Sequence, residues 1–319
     1  MSHHLPERRL SLFGRTGQVS ERLRLTIGGI GIELTWDGAR CVIEPGKKFF
    51  DGFLSTGDGN GPHGQIALRL HLHCGRLPEV KPEAMIFDAA QNNRWRLFRL
   101  DGRYLFEFFH TKAPHPRIQL AFIAPDFRSG EIYRRPDKLF PRRAWSLPWL
   151  TRPFGELLMV NLLCQGRGVL VHGLGVHDKG EGWLFVGRSG AGKSTLANLY
   201  KPFPEVTILG DERLVVTKVD GQFWLSGTPW PGEGFTVSAE TVPLRKIFFL
   251  EHGPRNVLIS DSFLNLYSLF FQQLFLPFWN GEALSFALRF AEEVMSAVPA
   301  SRLSFVNDAR VIEFLRGQA

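Results

Sequence analysis

The stretch GRSGAGKS at residues 187–194 sets Gly187, Gly192, Lys193 and Ser194 in the spacing G-x-x-x-x-G-K-[ST]. Glycines at such positions let consecutive backbone N–H groups turn inward around phosphate oxygens, and a helix that starts beside them adds the partial positive charge of its N-terminus. The flanks suit the motif: an apolar strand, GWLFV, enters and a helix-forming run, STLANLY, leaves. Gly187, Arg188, Ser189, Gly190, Ala191, Gly192, Lys193, Ser194 and Thr195 are therefore the candidate nucleotide-binding residues. Lys193 is expected to reach the β- and γ-phosphates of ATP or another nucleoside triphosphate, and Ser194 to bind Mg2+.

Phosphoryl transfer also needs carboxylates, one to hold metal and one to orient or deprotonate the acceptor. ILGDERLVV supplies Asp211 and Glu212 at the end of an apolar strand, roughly one helix-plus-strand unit past the loop. Asp211 reads as a metal-side ligand with Ser194, and Glu212 as the acceptor-side base, although the two assignments can be exchanged. His172, in LVHGLGV, lies on a strand expected to pair with the one delivering the loop, which puts its side chain near the phosphates if it points to that face. His71 and His73, with Cys74 beside them, have the look of a metal site, but Cys74 points to the other strand face and no third ligand is identifiable. A polar strand face is the expectation there.

The elements that must position these groups divide at about residue 145. Residues 1–145 read as a basic, β-rich N-terminal domain of short strands and tight turns: Gly28-Gly29 between RLRLTI and IGIELTW, Asp37-Gly38 after it, and Asp101-Gly102 between RWRLFRL and RYLFEFF. Ile66, Leu68, Leu70 and Leu72 alternate with Arg69, His71 and His73, as in a half-buried strand. Residues 146–319 begin with a helix over 151–165, with Thr151 as its cap and Pro153 in its first turn. GVLVHGLGVH (168–177) and GWLFVG follow, joined by DKGEG, a connection too short for a parallel crossover. Next come VTILGDERLVVTKV (206–219), QFWLSG, the loop TPWPGEG (228–234) and the strand RKIFFLEHG. Helices over about 261–276 and 282–297, a strand RLSFV and a helix DARVIEFLR complete the chain. The fold class expected is α/β with a mixed, α+β-type sheet.

With 44% hydrophobic and 22% charged residues over 319 positions, the composition excludes a disordered or fibrous chain. The net charge of +7 belongs to the first half: residues 1–150 carry +8 and the remainder −1. That polarity points to an acidic peptide, protein or small-molecule partner for the N-terminal domain. Nucleic acid is not expected, because no helix-turn-helix or zinc pattern accompanies the charge. Cys41, Cys74 and Cys164 form no CxxC pair, which argues for reduced thiols and a cytoplasmic setting. The N-terminus lacks the apolar core of a signal peptide. FLNLYSLFFQQLFLPFW (263–279) is interrupted by Asn265, Ser268, Gln272 and Gln273 and ended by Pro277, so no membrane span is expected and the run reads as a buried helix.

VLVHGLGV, LFVGRSGAGKSTLA, ILGDERLVV and, more loosely, SGTPWPGEG together resemble the HPr kinase/phosphorylase family, whose core is related in fold to phosphoenolpyruvate carboxykinase. The likeness is strong over about residues 165–234, and the tail to about 315 is similar to kinase-like proteins found beside peptide-modifying enzymes. The resemblance implies an ATP- and Mg2+-dependent kinase acting on a hydroxyl, serine above all. Within it His172 matches the family histidine and Asp211 the first acid, while Glu212 stands where the family usually has Asp. The family's phosphorylase segment is not recognisable and the N-terminal half does not match the HPr enzyme, so neither the reverse reaction nor HPr itself is carried over. Such proteins often assemble, which leaves a homo-oligomer open. The alternative from another class is a nucleotide-dependent switch or binding module that transfers no phosphoryl group.

Overall fold

The computed structural model describes residues 22–36, 48–55, 66–91, 94–110, 116–135, 150 and 152–317. The Asp37-Gly38 turn, Cys41, the Thr151 cap and most of the basic connector before it lie outside these residues.

In the first sheet, β1 (Arg22–Ile27) and β2 (Ile30–Trp36) form an antiparallel hairpin closed by Gly28 and Gly29, with φ of 55° and 77°. Positive φ at both central residues matches the right-handed twist of the flanking strands and favours glycine. After a short helix, α1 (Lys48–Asp51), come β3 (Ile66–Cys74), β4 (Ala84–Asp88), β5 (Trp95–Leu100), β6 (Arg103–Phe109), β7 (Arg117–Ile123) and β8 (Ser129–Arg134). The eight strands run in the order β1-β2-β3-β8-β7-β6-β5-β4, with β3 parallel to both of its neighbours and the other pairs antiparallel. Leu68, Leu70 and Leu72 are buried, as the alternation requires.

The second sheet is built from later residues. Helix α2 (Phe154–Leu163) precedes β9 (Gly168–His172), β10 (Leu174–Asp178) and β11 (Glu181–Val186). Helix α3 (Lys193–Tyr200) leads to β12 (Thr207–Gly210), β13 (Arg213–Val219), β14 (Gln222–Gly227), β15 (Thr241–His252) and β16 (Val257–Ile259). Then come α4 (Phe263–Phe271), β17 (Leu274–Phe275), α5 (Gly281–Ala297), β18 (Ala300–Phe305) and α6 (Arg310–Arg316). The main path is β12-β10-β11-β15-β14-β13-β9-β17, with β18 on β15 and β16 on β18. Strand β15 is parallel to β11 and β18 but antiparallel to β14, so the sheet is mixed and the fold is α+β.

The sheets share one continuous core that includes Ile27, Phe106 and Leu70 from the first and Val215, Leu170 and Ile247 from the second. Phe154 of α2 packs edge-on against Phe106 and Phe108, at centroid distances of 6.0 and 5.3 Å. The β1–β2 turn also touches β13, because a Cβ at Gly28 would lie 2.6 Å from Val215 Cγ1. Gly28→Ala combines a disfavoured left-handed backbone with overpacking, and is expected to cost about 2 kcal/mol or more in urea unfolding.

Four expectations are corrected. Residues 168–177 are two strands: the chain bends at Gly173, where a Cβ would come within 2.9 Å of Leu184 Cδ1 and 3.0 Å of the Phe185 carbonyl oxygen. Beyond that close approach β10 pairs with β11, whereas β9, which carries His172, pairs with β13 and β17. Residues 206–219 likewise break, with Asp211 and Glu212 in the bend between β12 and β13. The run from 263 makes a helix of 9 residues whose Phe263 and Leu264 are exposed and whose Leu266 and Phe270 are buried, so it is a half-buried helix. Finally, Cys74 is disulfide-bonded, against three reduced thiols, while Cys164 is free and buried. Burial raises the Cys164 thiol to about 12, which keeps it protonated and unreactive. No helix among the described residues is long and apolar enough to cross a membrane.

Candidate functional site

The parallel trio β11, β15 and β18 creates the crevice for the glycine-rich loop. Their pairing brings Val186 beside Phe249 and His252 beside Phe305, and the chain leaves β11 at Gly187 at that carboxyl edge. Edges of this kind are where open α/β sheets bind ligands. Gly190 and Gly192 take φ of 82° and 102°, and a Cβ at Gly192 would lie 2.6 Å from Phe305 Cζ. The second glycine thus meets both a backbone and a space requirement. His252 Nε2 donates to the Gly190 carbonyl at 2.9 Å, tying the tip of the loop to β15.

Lys193 is the first residue of α3 and is buried, with Nζ donating to the carbonyls of Gly187 (2.6 Å) and Arg188 (3.3 Å). Burial pulls its pKa below the usual lysine value, and the charge of Glu212 opposes that shift. Arg188, Ser189, Gly190 and Ser194 are exposed at the loop surface, with Gly187, Ala191 and Thr195 half-buried. These residues fit a triphosphate: a cradle of left-handed glycines, a helix N-terminus and an ammonium aimed across the loop.

Asp211 is buried, and its carboxylate accepts from two backbone amides, Gly232 N–H to Oδ1 at 2.8 Å and Gly234 N–H to Oδ2 at 2.7 Å. The loop at 228–234 is therefore held by the first acid of the pair. The carboxylate of Asp211 and the hydroxyl of Ser194 are oxygen donors of the type Mg2+ takes. Among the described residues no group of three His, Cys, Asp or Glu side chains could hold a metal, which includes the neighbourhood of His71 and His73. Instead His71 Nδ1 lies 2.9 Å from Thr35 Oγ1 and His73 stacks on Tyr133 at 4.2 Å. Asp211→Ala removes both acceptors of the loop amides and is expected to lower stability by about 2 kcal/mol or more, read by chemical denaturation.

Glu212 is half-buried and engaged on one oxygen. Its Oε1 lies 2.6 Å from Arg213 Nη1, 3.8 Å from Arg152 Nη1 and 3.8 Å from His172 Nδ1. Register explains the third neighbour, since His172 on β9 is the Cα partner of Arg213 on β13. His172 thus reaches the acid pair through β13, and its backbone N–H donates to the Gln273 carbonyl at 2.7 Å. Its pKa is lowered, by burial first and then by Lys193, with Glu212 opposing, so the imidazole is neutral at pH 7. Arg213 Nη1 lies 3.4 Å from His172 Nδ1.

Lys193, Glu212 and His172 therefore act on one another electrostatically, while Asp211 stands next to Glu212 as the anchor of the adjacent loop. Four further residues join them: Arg152, Glu156, Arg213 and His252. Glu156 occupies the first turn of α2, where an acid is expected for its interaction with the helix dipole alone. Arg213 follows the acid pair directly, and its charge offered a signal; Arg152 and His252 are distant in sequence and follow no spacing rule. No protein-family model matches the chain, and no curated protein matches it.

Proposed function

We propose that the protein is an ATP- and Mg2+-dependent kinase that phosphorylates a hydroxyl, serine above all, of a peptide, protein or small molecule, with the HPr kinase-like core assigned to residues 146–319. The observation that carries this reading is a buried lysine at a glycine-rich loop together with Glu212, whose Oε1 lies 3.8 Å from His172 Nδ1. The acceptor oxygen attacks the γ-phosphorus, the bond from that phosphorus to the β-bridging oxygen breaks, and its electron pair leaves on ADP. Glu212 takes the hydroxyl proton. Lys193 neutralises charge on the moving phosphoryl oxygens, and His172 helps to position or polarise that group. Ser194 and Asp211 would hold Mg2+, which would supply charge neutralisation at the phosphates.

The basic first half is assigned to an acidic acceptor and the setting to the cytoplasm, with the protein free to form a homo-oligomer. A second reading, a nucleotide-dependent switch without transfer, is favoured by one observation: the Arg213 ion pair already occupies Glu212 Oε1. Incubation with γ-labelled ATP, Mg2+ and serine-containing acceptors separates the two. Labelled acceptor supports the kinase; tight nucleotide binding that alters partner affinity without label supports the switch.

A further inference from the structure

Glu156 is a half-buried carboxylate, its Oε1 fully covered, placed between two guanidinium groups. Its Oε1 lies 2.9 Å from Arg152 Nε and 2.8 Å from Arg213 Nε. Each arginine then reaches a different part of the acceptor side. Arg213, lying over the ring of Phe275 at 4.2 Å, turns Nη1 to Glu212 at 2.6 Å. Arg152 donates through Nη2 to the carbonyls of Pro231 (2.8 Å) and Trp230 (3.3 Å), in the same loop whose amides bind Asp211. The indole of Trp230 in turn donates to the Leu150 carbonyl at 2.7 Å, so the loop is fastened to the start of α2 at three points.

Burying a carboxylate is costly, and burial does raise the Glu156 pKa against the opposing pull of Arg213 and Arg152. An apolar side chain would fill the same space at least as stably. What it would not supply is a fixed direction for two guanidinium groups, and those directions decide where Glu212 and the loop at 228–234 stand. We infer that Glu156 is the positioning residue of the acceptor side, setting Glu212 and the loop in register through Arg213 and Arg152. Among the described residues its side-chain ion pairs run to Arg152 and Arg213 and none to the nucleotide loop. The inference rests on the kinase reading only for its kinetic consequence; the geometric consequence stands apart from it.

Two measurements on the full chain test it. Hydrogen exchange followed by mass spectrometry compares the wild-type protein with Glu156→Gln and the charge-preserving Glu156→Asp. Glu156→Gln is expected to speed exchange about tenfold in peptides covering 211–213 and 228–236, with 193–200 and 241–252 unchanged, and Glu156→Asp to restore part of the protection. Acceleration across the whole second sheet, or none at the loop, overturns the inference whether or not the protein transfers phosphate. The second measurement is a double-mutant cycle with Glu212→Gln on turnover of Mg·ATP, using basal hydrolysis as the probe. Glu156→Gln is expected to lower kcat about tenfold with KM for ATP unchanged, and the double variant to be no slower than Glu212→Gln alone. Losses that multiply, or a rise in KM for ATP, would mean that Glu156 acts elsewhere. A wild-type protein with no basal hydrolysis leaves the exchange pattern to decide the positioning role, the kinase reading being decided separately by transfer of label to an acceptor.

Discussion

Lys193→Ala is expected to fold and to lose phosphoryl transfer by on the order of a thousandfold, the scale of removing one directed donor from a transition-state oxyanion. Among the described residues the ammonium makes no ion pair with a carboxylate; its bonds run to the Gly187 and Arg188 carbonyls of the loop. Thermal unfolding near that of the wild type, with kcat for labelled ATP collapsed, is the outcome that follows. Since lysine contacts phosphate in both ground and transition states, nucleotide affinity should weaken as well, and a titration with a fluorescent ATP analogue measures how much.

Glu212→Gln separates the kinase from the switch. The amide is isosteric, its oxygen still accepts from Arg213 Nη1, and the loop beyond it stays held by Asp211. What disappears is a group able to take the hydroxyl proton. Transfer should fall by about 10²–10⁴ while KM for ATP stays within about threefold. An unchanged rate would remove Glu212 as the base and turn attention to Asp211, whose carboxylate already accepts from the Gly232 and Gly234 amides.

What the sequence disclosed depended on the range of the interactions. The Gly28-Gly29 hairpin, the alternating β3 and the glycine-rich loop are local, and each stands where its residues predict. His172 shows the limit. Its strand was expected to pair with β11 and so to bring it near the phosphates, yet β9 pairs with β13 and sets it beside Glu212, the chain passing Leu184 and Phe185 closely at Gly173. That close approach is a contact between residues 173 and 184, and no periodicity records it. Asp211 was expected at a strand end, but its amide partners at Gly232 and Gly234 come from a loop that only the folded chain brings across. Glu156 and Arg152 were invisible for the same reason: they join Arg213 in one network only when α2 packs against β9, the strand beside β13. The half-buried α4 illustrates a different failure, since an almost wholly apolar run carries no phase to say which face is covered.

The central claim is that a phosphoryl group moves from ATP to a hydroxyl at the site of Lys193 and Glu212. Purified protein incubated with γ-labelled ATP, Mg2+ and a serine-containing acidic peptide library, read by intact mass and label, tests it most directly. The predicted result is one labelled phosphate on serine-containing peptides, lost in both Lys193→Ala and Glu212→Gln. Label that persists in both variants, or its absence from every acceptor while Mg·ATP binds tightly, would contradict the claim.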